Sequence, residues 1–384
     1  MNMQFAFTEE QQQLRAGARR FLAAASPPSR VRAAMATERG YDRELWERIA
    51  GELGWPALAI PEAYGGIGAG HVELVAVMEE VGRALLCAPL FSTVCLGAGA
   101  LLVAGDVAHR QRWLPGIAEG ETLATLAHTE ASGRCDAAGI TATARRDGGD
   151  YLLSGAKRFV VDGHVADLIV VAVRAPETAG AEGVSLFAVP ATAPGVTRRL
   201  LPTMDATRKL AEIRLDDVRV PASDRLGDEG AGWPALERIL DLAGVALAAE
   251  QVGGAEACLD MAVDYANTRT QFGRAIGSFQ AIKHKCADML VHVESARSAC
   301  CGAGCAAAED DPELAALAPM AKAYCSDAYF ACAAENIQIH GGIGFTWEHD
   351  AHLYFKRARS SEALLGDPAY HRERLAQRIG LSCS

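Results

Sequence analysis

The stretch YANTRTQFGRAIGSFQAIKHKCADM, residues 265–289, carries two helical patterns around a break. The pattern predicts a helix that ends near Gly273, a short turn, and a second helix from about Ser278. Arg269, Gln271, Phe272 and Gln280 cluster at the break. Their spacing leaves two readings open. One is a surface loop with capping amides and a solvated arginine. The other is a ligand-binding turn in which a guanidinium forks onto an anion.

Outward from this stretch the chain is helical in both directions. CLDMAVDYANTR precedes it and APMAKAYCSDAYFACAAENIQI follows, both Ala-rich and unbroken over several turns. The helical pattern begins near GDEGAGWPAL (227–236). Before it, GITATARR, YLLSGAKRFVV, ADLIVVAV, VSLFAVP and AEIRLDDVRV are short, β-branched and bounded by Gly, Pro or Asp, as strands are. No helical segment separates them, so they predict an antiparallel β module rather than a nucleotide-binding α/β repeat. The first third is helical again. FTEEQQQLRAGARRFLAAA opens with Thr8 and Gln11 at capping-box spacing, and DRELWERIAGELGW puts Leu45, Trp46, Ile49 and Leu53 on one stripe. IPEAYGGIGAG (60–70) reads as a turn-rich connector. The expected organisation is α+β in three domains: helical 1–120, β 121–226 and helical 227–384.

Composition narrows the function classes. The 384 residues carry a formal net charge of −11, with no basic stripe, which argues against a nucleic-acid partner. A few local arginines still suffice to bind a phosphate. MNMQFAFTEEQQQL lacks the basic and apolar regions of a secretory signal, and no apolar run is long enough to span a membrane. Eleven cysteines are scattered without metal-ligand spacing, so the reading is small buried thiols in a reducing cytoplasm, with no metal site. Phosphate-loop, nucleophile-elbow and His-Glu-x-x-His patterns are missing.

Two longer motifs decide the question that spacing leaves open. Tyr265, Arg269, Gln271, Phe272 and Gly273, followed by Phe279-Gln280, resemble the Y-x-x-x-R-x-Q-F-G signature of the acyl-CoA dehydrogenase family. QIHGGIGFTWEHD (338–350) resembles the family's second signature, and FTEEQ and PEAYGG fit as well. The resemblance implies a helical domain, an antiparallel β barrel and a C-terminal four-helix bundle. It also implies FAD held between subunits. By position, Arg269 would contact the pyrophosphate, with Phe272 and Gln280 against the ADP portion. Gln338, Gly341 and Gly342 would approach from a neighbouring chain.

The family reaction removes an α proton from an acyl-CoA thioester while flavin takes the β hydride; the protein positions and polarises. Here the pattern departs from the family. The flavin motif T-E-P-x-x-G-S-D stands as TEASGRCD (129–136), keeping Thr129, Glu130 and Asp136. A Trp-x-Thr against the flavin stands as Phe159-Val160-Val161, so Phe159 retains a ring while Val161 has no hydroxyl. The usual Glu base aligns with Leu365, followed by Gly366, and the alternative base position falls on Ala243-Gly244. Asp367 and Glu362 are the remaining acidic candidates near the C-terminal position. Asp367 also reads as the N-cap of a helix starting at Pro368. Asp241 aligns with the substrate side. The resemblance therefore implies acyl-CoA α,β-desaturation by a heteromer (α2β2). In it, this chain completes the FAD site and a homologous subunit supplies the Glu. Such complexes are associated with sterol or other bulky acyl-CoA substrates. The alternatives are a homotetramer using Asp367, a flavin oxidase or monooxygenase, and a non-enzymatic scaffold. An electron-transfer flavoprotein is the expected electron acceptor, and the cytoplasm the expected location.

Overall fold

The structure, a computed structural model, describes residues 7–381. Residues 1–6, part of the stretch read for a signal, and residues 382–384, which include Cys383, lie outside the described residues. The chain opens with α1 (Glu9–Ala25), α2 (Pro28–Met35), α3 (Arg43–Gly51) and α4 (His71–Arg83). A π-helical segment, Phe91–Ala98, runs into α5 (Gly99–Ala104), and α6 (Val107–Ala118) follows. Strands β1 (Ala124–Ala127), β2 (Thr143–Asp147), β3 (Asp150–Val161), β4 (Leu168–Arg174), β5 (Val184–Pro190), β6 (Val196–Leu201), β7 (Leu210–Pro221) and β8 (Arg225–Leu226) form one sheet. Helix α7 (Trp233–Thr268) leads to a small hairpin of β9 (Thr270–Gln271) and β10 (Arg274–Ala275). Then come α8 (Gln280–Ala308), α9 (Leu314–His340), α10 (Ala351–Ala363) and α11 (Pro368–Arg378).

These elements form two compact units. One gathers α1, most of α2, α4 and the chain from Gly244 onward; the other comprises Ala34–Gly70 and Cys87–Ala243. In the helical unit the Thr8 hydroxyl accepts from the Gln11 backbone, and the Gln11 side chain returns the bond, so the capping box forms. Helices α4 and α7 cross at glycines. A Cβ on Gly82 would lie 1.8 Å from the Glu250 carbonyl oxygen, and one on Gly253 1.7 Å from that of Glu79. At this crossing Glu79 and Glu80 are buried and paired. Arg15 reaches Glu79 at 2.8 Å and Glu80 at 3.0 Å, Arg19 reaches Glu80 at 2.8 Å, and Arg297 reaches Glu79 at 2.9 Å. Burial still pushes the Glu79 carboxyl above its usual range, against Arg297 and Arg15. The buried Arg357–Glu250 pair, at 2.8 Å, ties α10 to α7. Helix α9 packs against α8, α10 and α11 over a core that includes Cys258, Met289, Val293, Tyr329 and Ala333.

The sheet unit has strand order β6-β7-β3-β2-β4-β5-β8, with β1 beside β4. Its pairings are mostly antiparallel, as the pattern predicts, with two parallel exceptions. β1 runs parallel to β4 from Ala124–Leu168 to Ala127–Val171, and β2 meets β4 in parallel at Thr143–Arg174. The reason is topological: β3 reverses β2 and β4 reverses β3, so β4 runs with β2. Three strands escape the sequence pattern. ATLA is too short and uniformly buried to alternate, VTRRLL buries only its last residue, and β8 has two residues. Among the described residues no helix is long and apolar enough to cross a membrane, and no acidic, His or Cys group is arranged for a metal.

The crossing makes a direct test. Gly82→Ala or Gly253→Ala should destabilise the protein by at least about 1–3 kcal/mol in denaturant titration, since the clash is with backbone. Gly17→Ala in α1, where an added Cβ meets nothing within 4 Å, should instead stabilise by about 0.5–1 kcal/mol.

Candidate functional site

Helix α7 ends at Thr268 rather than near Gly273, because residues 270–275 pair as a hairpin. Its two-residue turn is Phe272-Gly273, with φ of 52° and 75°. Positive φ at both central positions is the turn whose twist suits paired strands. It leaves Phe272 92 % exposed. The Phe272 ring meets Phe279 edge-on at 6.1 Å, and Arg274 lies over Phe279 at 4.1 Å. The backbone of Arg269 is held from both sides. Its N–H donates to Tyr265 (2.8 Å), and its carbonyl accepts from Ile276 (2.8 Å), while the side chain is exposed. Gln280 is the first residue of α8, whose N-terminus has no side-chain cap.

The end of α9 joins this group. The Tyr265 ring stacks on His340 with centroids 4.3 Å apart, and His340 lies 4.4 Å from His349. His340 Nδ1 donates to the Asn336 carbonyl at 2.8 Å, and burial pushes its pKa down. This contact sets the C-terminal ends of α7 and α9 side by side, and Gln338 is exposed there. Gly341 ends the helix at φ 64°, ψ −140°, a conformation confined to glycine. A Cβ on Gly341 or Gly342 would meet nothing within 4 Å. The structure thus brings Arg269, Phe272, Gln280, Gln338, Gly341 and Gly342 to one end of the helical unit.

Thr129 and Phe159 belong to the sheet unit. The Arg158 N–H donates to the Thr129 carbonyl, and the Thr129 hydroxyl to the Arg158 carbonyl, both at 2.9 Å. Opposite β7 the register shifts between Lys157 and Val160, a bulge that puts Phe159 at φ 60° and leaves it 40 % exposed. Val161 is buried, and its carbonyl accepts from the Thr125 hydroxyl at 2.7 Å. Glu130 anchors the loop from inside. It accepts from Lys157 Nζ (2.6 Å), from the backbone of Thr141 (2.8 Å) and Ala142 (2.9 Å), and from the Thr141 hydroxyl. Burial opposes this carboxylate's charge, but Lys157 and those donors hold its pKa below the usual range. Asp136 pairs with Arg134 and caps the short helical turn Ala137–Gly139.

Neither acidic candidate near the base position is idle. Asp367 is exposed and accepts from the Tyr370 N–H at 2.7 Å as the N-cap of α11. Glu362 pairs with Arg359 at 2.6 Å. Leu365 is only 5 % exposed and sits at φ 62°, followed by Gly366 at φ 104°. His371 Nε2 donates to the Leu365 carbonyl at 3.0 Å. Lys322, fully buried on α9, donates to the carbonyls of Glu362 and Gly366, each at 3.2 Å. Asp241 is buried on α7, as is Ala243. Sequence reasoning missed Lys322 and His371. A signal was present for Lys322, because Ala318, Lys322, Cys325 and Tyr329 share one helical stripe and all are buried.

Comparison with known proteins agrees with this layout. The family descriptions "Acyl-CoA dehydrogenase, N-terminal domain", "middle domain" and "C-terminal domain" match residues 8–121, 125–218 and 230–380. Acyl-CoA dehydrogenase IpdE2 of Mycobacterium tuberculosis is 37% identical over 371 residues, covering 97% of this chain and 98% of that protein. The butyryl-CoA dehydrogenase of Megasphaera elsdenii superposes with a TM-score of 0.92 at 29% identity, covering 98% of this chain and all of that one. A chain of the ChsE4-ChsE5 complex from Mycobacterium tuberculosis superposes with a TM-score of 0.89 at 29% identity, each chain covering 100% of the other. With three domains matched in order over a shared helix–sheet–helix layout, the chain belongs to the acyl-CoA dehydrogenase family, FAD-dependent oxidoreductases acting on acyl-CoA.

Proposed function

We propose that this chain is the base-free subunit of a heteromeric acyl-CoA dehydrogenase, completing the FAD site of a homologous partner that supplies the catalytic Glu. The observation that carries this reading is the turn between α10 and α11. It is built and pinned, yet it presents Leu365, and both flanking carboxylates have other tasks. A relocated Asp367 base, as a homotetramer would need, is disfavoured because the carboxylate would have to abandon its cap. The likeness to a two-component relative, the ChsE4-ChsE5 complex, supports the same reading. We also take residues 1–120, 121–226 and 227–384 as the domains, an electron-transfer flavoprotein as acceptor, and the cytoplasm as location. The last fits the ten described cysteines, all free thiols.

The residues present fit FAD. Arg269 offers an exposed guanidinium for the pyrophosphate, and the N-terminus of α8 carries no side-chain cap. Gly341 and Gly342 leave open space that their own chain does not need. Phe272 presents a ring for the ADP portion, with Gln280 and Gln338 as amide partners. In the sheet unit Phe159 offers a ring face and Thr129 a fixed backbone. Bound FAD supplies the hydride acceptor. The helical unit's part is to hold the phosphates, and the sheet unit's is to offer a ring face.

Expression settles the assembly. The chain produced alone should lack stable flavin, and co-expression with an adjacent dehydrogenase gene product should yield a yellow complex. A yellow homotetramer that oxidises an acyl-CoA unaided would refute the reading. In the complex, Arg269→Ala should weaken FAD retention at least about tenfold, the value of a lost charge-assisted hydrogen bond, as read by flavin absorbance after gel filtration. Asp367→Ala should cost about 1 kcal/mol of stability through its lost cap, without changing turnover.

A pH dependence follows from His371. Burial, then Lys322 and Arg374, push its pKa down to about 3, whereas the unfolded chain titrates near the ordinary value of 6.5. Between those values the unfolded state binds a proton that the folded state refuses. Stability therefore falls as pH drops from 6.5 toward 3. His371→Gln should flatten this acid limb in melting experiments. A residual slope should persist, because His128 is also buried and pushed down to about 3.

A further inference from the structure

We propose that Lys322 is the positioning residue for side chain 365: its ammonium fixes the backbone on both sides of that residue and so sets where the side chain projects. The proposal rests on the reading of Leu365 as the base position. An ammonium has three N–H donors. Its acceptors here include Ser326 Oγ at 2.9 Å and the carbonyls of Glu362 and Gly366 at 3.2 Å. The Glu362 carbonyl belongs to the last turn of α10, whose carbonyls have no partner within the helix. The Gly366 carbonyl lies one residue past Leu365. One nitrogen therefore ties the chain before and after position 365, while His371 holds the Leu365 carbonyl itself.

The ammonium is in turn held in place. Ser326 Oγ donates to the Lys322 carbonyl at 2.7 Å and accepts from Gln251 Nε2 at 2.9 Å, which carries the network from α9 to α7. Burying a lysine is costly, and an apolar side chain of similar length would fill the same volume at less cost. What the lysine adds is direction: three acceptors at defined places, favoured further by the negative end of the α10 dipole. The left-handed φ of Leu365 is consistent with this. A non-glycine residue keeps that conformation only where its surroundings over-determine it.

The test uses the flavin-loaded full-length protein with any subunit that copurifies. Lys322→Met should speed amide hydrogen exchange in residues 362–368 about tenfold, the value of lost hydrogen bonds from a charged donor, while α1 is unchanged. Lys322→Arg should restore part of the protection. Ser326→Ala gives a milder perturbation in the same direction if Lys322→Met fails to fold. Unchanged exchange across 362–368 in these variants overturns the proposal. The consequence for side chain 365 is read in a Leu365→Glu background, as exchange of the acyl-CoA α-hydrogen with deuterated water. In that exchange the carboxylate takes the proton and returns a deuteron. The expected result is a gain of exchange that Lys322→Met lowers about tenfold in kcat, with KM within about twofold; an equal rate in the double variant counts against Lys322. If Leu365→Glu gains no exchange although 362–368 stays protected and flavin is bound, the base-position reading fails. The claim for side chain 365 then falls with it, while Lys322 still pins the turn.

Discussion

The close crossing of α4 and α7 is the constraint on which the helical unit depends. Glycines at 82 and 253 let two backbones approach to a distance that no side chain would permit. That approach buries Glu79 and Glu80, and buried carboxylates are tolerable only when paired and hydrogen-bonded. Arginines from α1 and α8 supply the charge. Helix α7 is thereby fixed, and with it the Arg269 hairpin at its end and Gln251, which bonds to Ser326 of the Lys322 network. The hairpin and the turn at Leu365 are both referred to the same long helix.

The candidate residues of the two units are built by different physics. Those of the helical unit sit at helix termini: an arginine just past one helix, a glycine pair just past another, and the start of a third. Those of the sheet unit rely on a defect in a strand, where an extra residue in β3 throws Phe159 outward. In both, an aromatic residue is held at positive φ, an arrangement that a folded chain keeps only when neighbours enforce it. The strain is spent on presenting rings outward rather than on the core.

Much of this was legible in the sequence, and the failures have physical reasons. Thr8-x-x-Gln11 formed its capping box and Asp367 its cap, because both are local bonds that depend on few neighbours. Five of the strand segments appeared where β-branched runs predicted them, since burial and propensity agree there. The helix end near Gly273 was misplaced, because a two-residue hairpin leaves no periodic trace. β1 was missed and its parallel pairing with it, since a partner so far away in the chain is set by topology rather than by local pattern. Lys322 was read past because a lone lysine on an Ala-rich helix ordinarily points to water. Only the stripe it shares with Cys325 and Tyr329 says otherwise.

The left-handed turn at residue 365 has an implication for which side chains can stand there. Glutamate and leucine are both unbranched at Cβ and meet the same backbone requirement, so exchanging one for the other leaves φ, the neighbouring glycine and the lysine beneath untouched. A substitution at this one position can therefore add or remove a carboxylate while the scaffold around it stays intact.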